Sequence, residues 1–142
     1  MCGIAGILSR TGNKRNQVEK MLTSLIHRGP DETSYWEGKN YYAGMRRLSI
    51  NDIEGGSQPF YDETRNIVLF YNGEIYNYQS LKKQLIDIGI KFKTNCDGEV
   101  ICHLYKIHGN GFLSKLEGLF SIALWDQSKE TLILGRDFPG EK

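Results

Sequence analysis

Residues 67–71, Ile-Val-Leu-Phe-Tyr, limit the fold more than any other stretch of this chain. They are β-favouring and carry no polar alternation. A strand with one face in water shows a period of two, so a run without one reads as a strand covered on both faces. Two sheets packed face to face, with helices on their outer sides, provide that cover. The run is followed by Asn72-Gly73, a turn-forming pair that predicts the end of the strand. At 142 residues the chain fits one domain, large enough to bury a core without disulfide staples.

The remaining pattern fits such a sandwich. Residues 3–8 read as a short buried strand whose glycines allow close approach. After a polar turn at 9–13, Asn13 or Asn16 can cap a helix with Val18, Met21, Leu22, Leu25 and Ile26 on its apolar stripe. Gly29-Pro30 ends it. Residues 34–37 and 41–50 form a predicted hairpin around Gly38-Lys39-Asn40, and 51–62 a long loop. Asn77 can cap a second helix carrying Leu81, Leu85 and Ile88, which Gly89 closes. A brief strand is predicted at 90–94. Asp97 opens a third helix, with Val100, Ile101, Leu104, Tyr105 and Ile107 buried, broken at Gly109 and Gly111. A last hairpin joins 119–125 to 131–134. Helices are too few and too unevenly placed for βαβ alternation, so the fold class is α+β with mainly antiparallel sheets.

Composition removes several functions. A net charge of +1 gives no case for nucleic acid or an acidic membrane. Cys2, Cys96 and Cys102 are odd in number and widely spaced, which favours a reducing cytosol over a disulfide framework. The run 4–8 is too short for a signal or a membrane span, so a cytoplasmic location is expected. His27, His103 and His108 form no metal-ligand pattern, with or without Cys102, and no metal site is expected. No phosphate-binding glycine loop occurs.

Chemistry points to the start of the chain. Once Met1 is trimmed, Cys2 carries a thiol and an α-amino group on one residue, a nucleophile with its own base. An amide-cleaving thiol also needs oxyanion donors and substrate anchors. The Asn72 amide and the Gly73 N–H can converge on one developing charge, though the pair equally fits a plain turn. In Arg46-Arg47 one guanidinium should point inward, toward a substrate carboxylate or an internal acid. Glu74 and Asp97 could each receive an ammonium; Asp97 also fits a helix N-cap.

The ordered set Cys2-Gly3-Ile4, His27-Arg28-Gly29-Pro30-Asp31, Arg47-Leu48-Ser49-Ile50, Gln58-Pro59, Asn72-Gly73-Glu74-Ile75-Tyr76-Asn77, Asp97-x-Glu99-Val100-Ile101 and Gly118-x-Phe120-x-x-Ala123-Leu124-Trp125-Asp126 resembles the glutaminase domain of glutamine-hydrolysing asparagine synthetases. That is a class II glutamine amidotransferase domain of the N-terminal-nucleophile hydrolase type. The resemblance implies a four-layer αββα sandwich. It implies Cys2 as nucleophile, Asn72 and Gly73 as oxyanion hole, and Arg47 on the α-carboxylate of glutamine. It places Glu74 and Asp97 on the α-ammonium and Arg47, Leu48, Ser49, Ile50 and Asn51 along the site, partly through backbone. The implied reaction runs through a γ-glutamyl thioester to glutamate and ammonia.

The resemblance implies no cofactor in this domain. ATP and Mg belong to a synthetase domain, the ammonia-accepting partner, whose Ser-Gly-Gly-x-Asp-Ser loop is absent here. The match covers 1–142 as a glutaminase domain without its last strands, C-terminally incomplete, and allows a homodimer. Asn72 to Asn77 favours the asparagine synthetase branch over phosphoribosyl or sugar-phosphate amidotransferases. The branch also includes enzymes that amidate sugar acids. A glutamine-binding module without turnover is the other class. Gly98 departs from the family pattern, where a bulkier residue is usual, and Cys96 stands where serine is usual.

Overall fold

The structure, a computed structural model, describes residues 1–49 and 56–142. The expectations for Ile50 and Asn51 lie outside the described residues. Two antiparallel sheets face each other. The first has the order β1-β3-β2, with β1 Gly3–Leu8, β2 Glu32–Glu37 and β3 Tyr41–Arg47. The second has the order β4-β5-β6-β7, with β4 Phe60–Tyr61, β5 Ile67–Ile75, β6 Gly118–Asp126 and β7 Thr131–Arg136. Helix α1, Arg15–Ser24, packs on the first sheet; α2, Tyr78–Asp87, and α3, Asp97–His108, lie on the side of the second. A 3-10 turn, Gly109–Lys115, follows α3. These are the four layers αββα.

Strand parity sorts side chains into three cores. On β5, Leu69, Tyr71 and Ile75 face the helices and meet Val100, Ile101, Leu104 and Phe112. Val68 and Phe70 face the other sheet, where they meet Tyr41, Ala43 and Met45 of β3 and Trp125 of β6. The apolar run therefore fills both faces, as its lack of alternation predicts. Val18 and Leu22 of α1 close the outer face of the first sheet over Ala5 and Tyr42. Met21 and Ile26, on the same predicted stripe, remain exposed.

Ile88 and Ile107, predicted on the apolar sides of their helices, are exposed, and three further local predictions need correction. Asn72-Gly73 is not a turn. Strand β5 continues through it to Ile75, with Asn72 opposite Ser121 and Gly73 opposite Phe120. Residues 90–94 are not a strand; their backbone is irregular, and the N–H groups of Lys93 and Thr94 are bound by the Glu99 carboxylate instead of a neighbouring strand. Asp97 is the first residue of α3 and not its cap: Cys96 holds that position, with no side-chain capping bond. Asn13, rather than Asn16, bonds the start of α1, accepting from the Arg15 N–H at 2.8 Å.

Two glycines explain close approaches. A Cβ at Gly29 would collide with the Arg46 carbonyl and the Arg47 nitrogen, so the loop after α1 lies directly on the backbone of β3. At Gly98 a Cβ would enter the Phe60 ring, which accounts for the missing bulk at that position. Among the described residues no helix is long and apolar enough to cross a membrane.

The second hairpin is fastened by Asp126. Its carboxylate accepts from the Ser128 and Lys129 N–H groups, the Ser128 hydroxyl and, across to α3, the Tyr105 hydroxyl at 2.9 Å. Burial acts to raise this carboxyl, but the hydrogen bonds outweigh it and hold the group down at about 2.

Two outcomes follow for stability. Because the Asp126 carboxyl is depressed, its contribution is present above the ordinary value and is lost as pH falls through about 2. Asp126→Asn should cost about 2 kcal/mol near neutrality. The gap to wild type should close on acidification, read by denaturant unfolding at several pH values. Gly29→Ala should cost about 1–3 kcal/mol, since backbone, not a flexible side chain, must move. The unfolding midpoint should drop at unchanged denaturant slope.

Candidate active site

Strand period brings the proposed groups to one end of the gap between the sheets. On β3, Tyr41, Ala43 and Met45 face inward, and Arg47 continues that series. It is buried, at 5% exposure, whereas Arg46 turns outward to the Gly29 carbonyl and Thr33. Gly3 pairs with Arg46, which places Cys2 and Arg47 side by side just beyond that pair. Asn72 shares the inward parity of Val68 and Phe70, so it arrives from the opposite sheet. Its Oδ1 accepts from the Cys2 nitrogen at 3.2 Å.

The thiol is held by backbone. The Leu48 N–H donates to Cys2 Sγ at 3.5 Å, and the Leu48 carbonyl lies 3.8 Å from the same sulfur. Arg28 Nε donates to the Cys2 carbonyl at 3.2 Å. The 27–31 segment thus lies under Cys2, with His27 itself exposed. Asp31 accepts from the Ser49 N–H at 2.8 Å, which fixes the exit from β3.

These groups line a cavity of about 570 Å³, within the usual range for small-molecule sites. Cys2, Arg47, Leu48, Asn72, Gly73, Glu74 and Asp97 are all on its wall. Ser49 is not, and its N–H is taken by Asp31. Gly73 is where a side chain cannot go: a Cβ would strike the Leu119 carbonyl and the Phe120 backbone. Cys96 also lines the cavity, half-buried.

Two of the charged wall groups, Arg47 and Asp97, have fixed partners. Arg47 Nη1 donates to Glu32 Oε2 at 3.0 Å, so its guanidinium is anchored at the back of the cavity. Asp97 Oδ2 accepts from the Tyr71 hydroxyl at 2.7 Å and the Ile75 N–H at 2.9 Å. Both bonds converge on one oxygen and leave the other for a ligand. Burial, then the Asp97 charge and hydrogen bond, push the Tyr71 phenol far up, so it remains a donor. Gln58 binds the backbone of Tyr71 in both directions at 2.7 Å, acting as a one-residue extension of the sheet.

Tyr71, Gln58, Glu32 and Arg28 are the functional neighbours that the motifs did not assign. For Tyr71 the signal was present: its parity on β5 directs it to the helix side, where Asp97 stands. For Arg28 and Gln58 it lay in two landmarks that carried no assigned chemistry. Among the described residues no group of three or more His, Cys, Asp or Glu could hold a metal ion.

Comparison with known proteins adds an independent line. The chain is 42% identical to asparagine synthetase [glutamine-hydrolyzing] 2 of Bacillus subtilis (strain 168), over all of this chain and 19% of that protein. It is 40% identical to amidase chry2 of Gibberella zeae, over its full length and 23% of that protein. The nodule asparagine synthetase [glutamine-hydrolyzing] of Pisum sativum is 39% identical, over 99% of this chain and 24% of the relative. The chain therefore spans less than a quarter of the length of these relatives. In fold it matches the glutamine phosphoribosylpyrophosphate amidotransferase from B. subtilis with a TM-score of 0.73 and 25% identity, covering 96% of this chain and 37% of the other. An allosteric regulatory enzyme of purine biosynthesis matches with a TM-score of 0.75 and 24% identity, with the same coverage. A family model described as glutamine amidotransferase domain matches residues 1–142, and by that match over its whole length the chain belongs to the glutamine amidotransferase domain family.

Proposed function

We propose that the cavity binds L-glutamine and that Cys2 hydrolyses its side-chain amide. The observation that carries this is the composition of one wall. A thiol, an asparagine amide beside a glycine N–H, one guanidinium and two carboxylates share a single cavity. That set complements a zwitterionic amino acid with a neutral amide side chain.

The reaction follows from these positions. Removal of Met1 converts the Cys2 nitrogen, now 3.2 Å from Asn72 Oδ1, into a free amine on the same residue as the thiol. The amine takes the thiol proton, and Sγ attacks the amide carbon. The oxygen gains negative charge between Asn72 Nδ2 and the Gly73 N–H. The tetrahedral species collapses, the ammonium returns its proton to the leaving nitrogen, and ammonia departs. A γ-glutamyl thioester remains, and water attacks it to give glutamate and the free thiol. Arg47 receives the α-carboxylate. Glu74 and the second oxygen of Asp97 receive the α-ammonium.

We further propose that the ammonia passes to a synthetase partner that amidates aspartate or a related acceptor. The 42% identity to an asparagine synthetase, against 25% to the phosphoribosylpyrophosphate amidotransferase, favours that branch.

Cys2→Ala should lower glutamate release from glutamine by about four orders of magnitude or more. Intact mass establishes that Met1 has left both proteins. Equal activity in the two would exclude Cys2 as the nucleophile, and a processed wild type that binds glutamine without turnover would make this a binding module. Arg47→Lys keeps the charge but loses the two-pronged geometry. It should raise KM for glutamine about tenfold to a hundredfold with little change in kcat.

A further inference from the structure

Glu99 is buried in the first turn of α3 and holds one segment of the cavity wall. It accepts from the Lys93 N–H at 2.8 Å, the Thr94 N–H at 2.7 Å and the Thr94 hydroxyl at 2.7 Å. Thr94 Oγ1 accepts in turn from the Cys96 N–H at 3.2 Å. The next residues, Asn95, Cys96 and Asp97, line the cavity. One carboxylate therefore sets the course of the chain into Asp97.

One turn further along α3 lies His103, a buried titratable group that the proposed reaction does not use. It is 2% exposed, and neither ring nitrogen has a hydrogen-bond partner among the described residues. Each nitrogen instead faces a carboxylate just beyond hydrogen-bond distance. Nε2 is 3.7 Å from Glu99 Oε1, and Nδ1 is 3.6 Å from Glu63 Oε2, which arrives from the turn between β4 and β5. A neutral imidazole has one N–H and can satisfy one of these oxygens; the imidazolium has a donor for each.

Two further charged groups stand beside these acids. Lys106 pairs with Glu63 and lies 3.7 Å from Asp62. Three carboxylates thus stand against one ammonium. The Lys106 hydrogen bond holds the Glu63 carboxyl below its usual range, so that carboxylate stays charged. The Cys102 thiol is pushed up by burial and by the Asp62 and Glu99 charges, which keeps it neutral. Phe92 meets the His103 ring edge-on at 5.0 Å, and Lys82 Nζ lies 4.9 Å from the centre of that phenyl ring.

We propose that His103 is a positioning residue whose charge state sets the rigidity of the cavity wall: as imidazolium it ties Glu63 to Glu99 and fixes the segment leading into Asp97, and as neutral imidazole it lets one carboxylate go. Lys82 donates to the Thr94 carbonyl and Asn95 Oδ1, so the wall keeps a second tether and loosens without leaving. The proposal rests on the reading of the cavity as an amino-acid site, but its structural half can be read without turnover.

The test compares wild type with His103→Gln across pH. The variant should have a KM for glutamine about fivefold higher near pH 6, with the ratio falling toward one by about pH 9 and kcat ratios flat. A structural role alone gives a KM ratio that does not change with pH, and that result overturns the proposal. Hydrogen-exchange protection at the Lys93 and Thr94 amides is the second readout. Protection factors in wild type should fall about fivefold with rising pH, and in the variant stay low and constant. Constant protection in wild type overturns the proposal even if glutamine is hydrolysed. PH-dependent protection in a wild type inert toward glutamine sinks the functional reading and leaves the switch standing. Glu63→Gln, at a half-exposed carboxylate, should weaken both pH dependences without opening the core.

Discussion

The site depends on the two-residue period of strands in facing sheets. Cys2 shares its parity with Ile4, Arg47 with Met45, and Asn72 with Phe70, and all of these look into the gap between the sheets. That gap is filled along most of its length by Tyr41, Met45, Phe70 and Trp125, and polar residues take over at the end that holds the cavity. A slip of one residue on any of three strands would turn its functional side chain to the outside. The register pairs Gly3 with Arg46 and Asn72 with Ser121, and is fixed by burial on both faces. The packing that stabilises the sandwich is therefore the same packing that assembles the cavity.

Much of this was legible because it is local. The unbroken apolar run 67–71 specified a doubly covered strand, and the adjacent arginines could not both face inward. What escaped depends on distant partners. Asn72-Gly73 has turn chemistry, but pairing with Ser121 and Phe120 of β6 carries the strand through it. Residues 90–94 look strand-like in composition, yet a side chain from α3 takes the N–H groups that a sheet would have bound. Strand β4 has two residues, too few to show a period. Asp97 reads as a helix cap, yet its carboxylate turns back to Tyr71 and Ile75 of β5. For Asn72-Gly73 and Asp97 a tertiary hydrogen bond outweighs a local preference of a few tenths to about 1 kcal/mol.

Four charges shielded from water follow one rule. Arg47 is met by Glu32, Asp97 by a phenol and an amide, Glu99 by two amides and a hydroxyl, and Asp126 by hydroxyls, amides and Lys129. An ion removed from water must find such partners or lose its charge. Around the cavity these partners also orient. Because both bonds to Asp97 use the same oxygen, the carboxylate cannot rotate freely, and its second oxygen is presented in a fixed direction. The ordering entropy is thus spent in folding and not at binding, which is what preorganisation means in energetic terms.

The walls of the cavity come from separate structural units. Arg47 ends β3 of the first sheet and Cys2 and Leu48 flank its strands, Asn72, Gly73 and Glu74 belong to the second, and Asp97 to α3. The contact between Cys2 and Asn72 therefore spans the interface between two sheets, and its 3.2 Å length reports how those sheets sit on each other. Gly29 bears on the same distance from one side, by allowing the loop to lie against β3 beneath Arg47. Gly98 bears on it from the other, by leaving room for Phe60 between α3 and the cavity. Neither glycine lines the cavity. Their lack of a side chain sets the spacing of the layers, and the spacing of the layers sets how closely Cys2 and Asn72 approach across the gap.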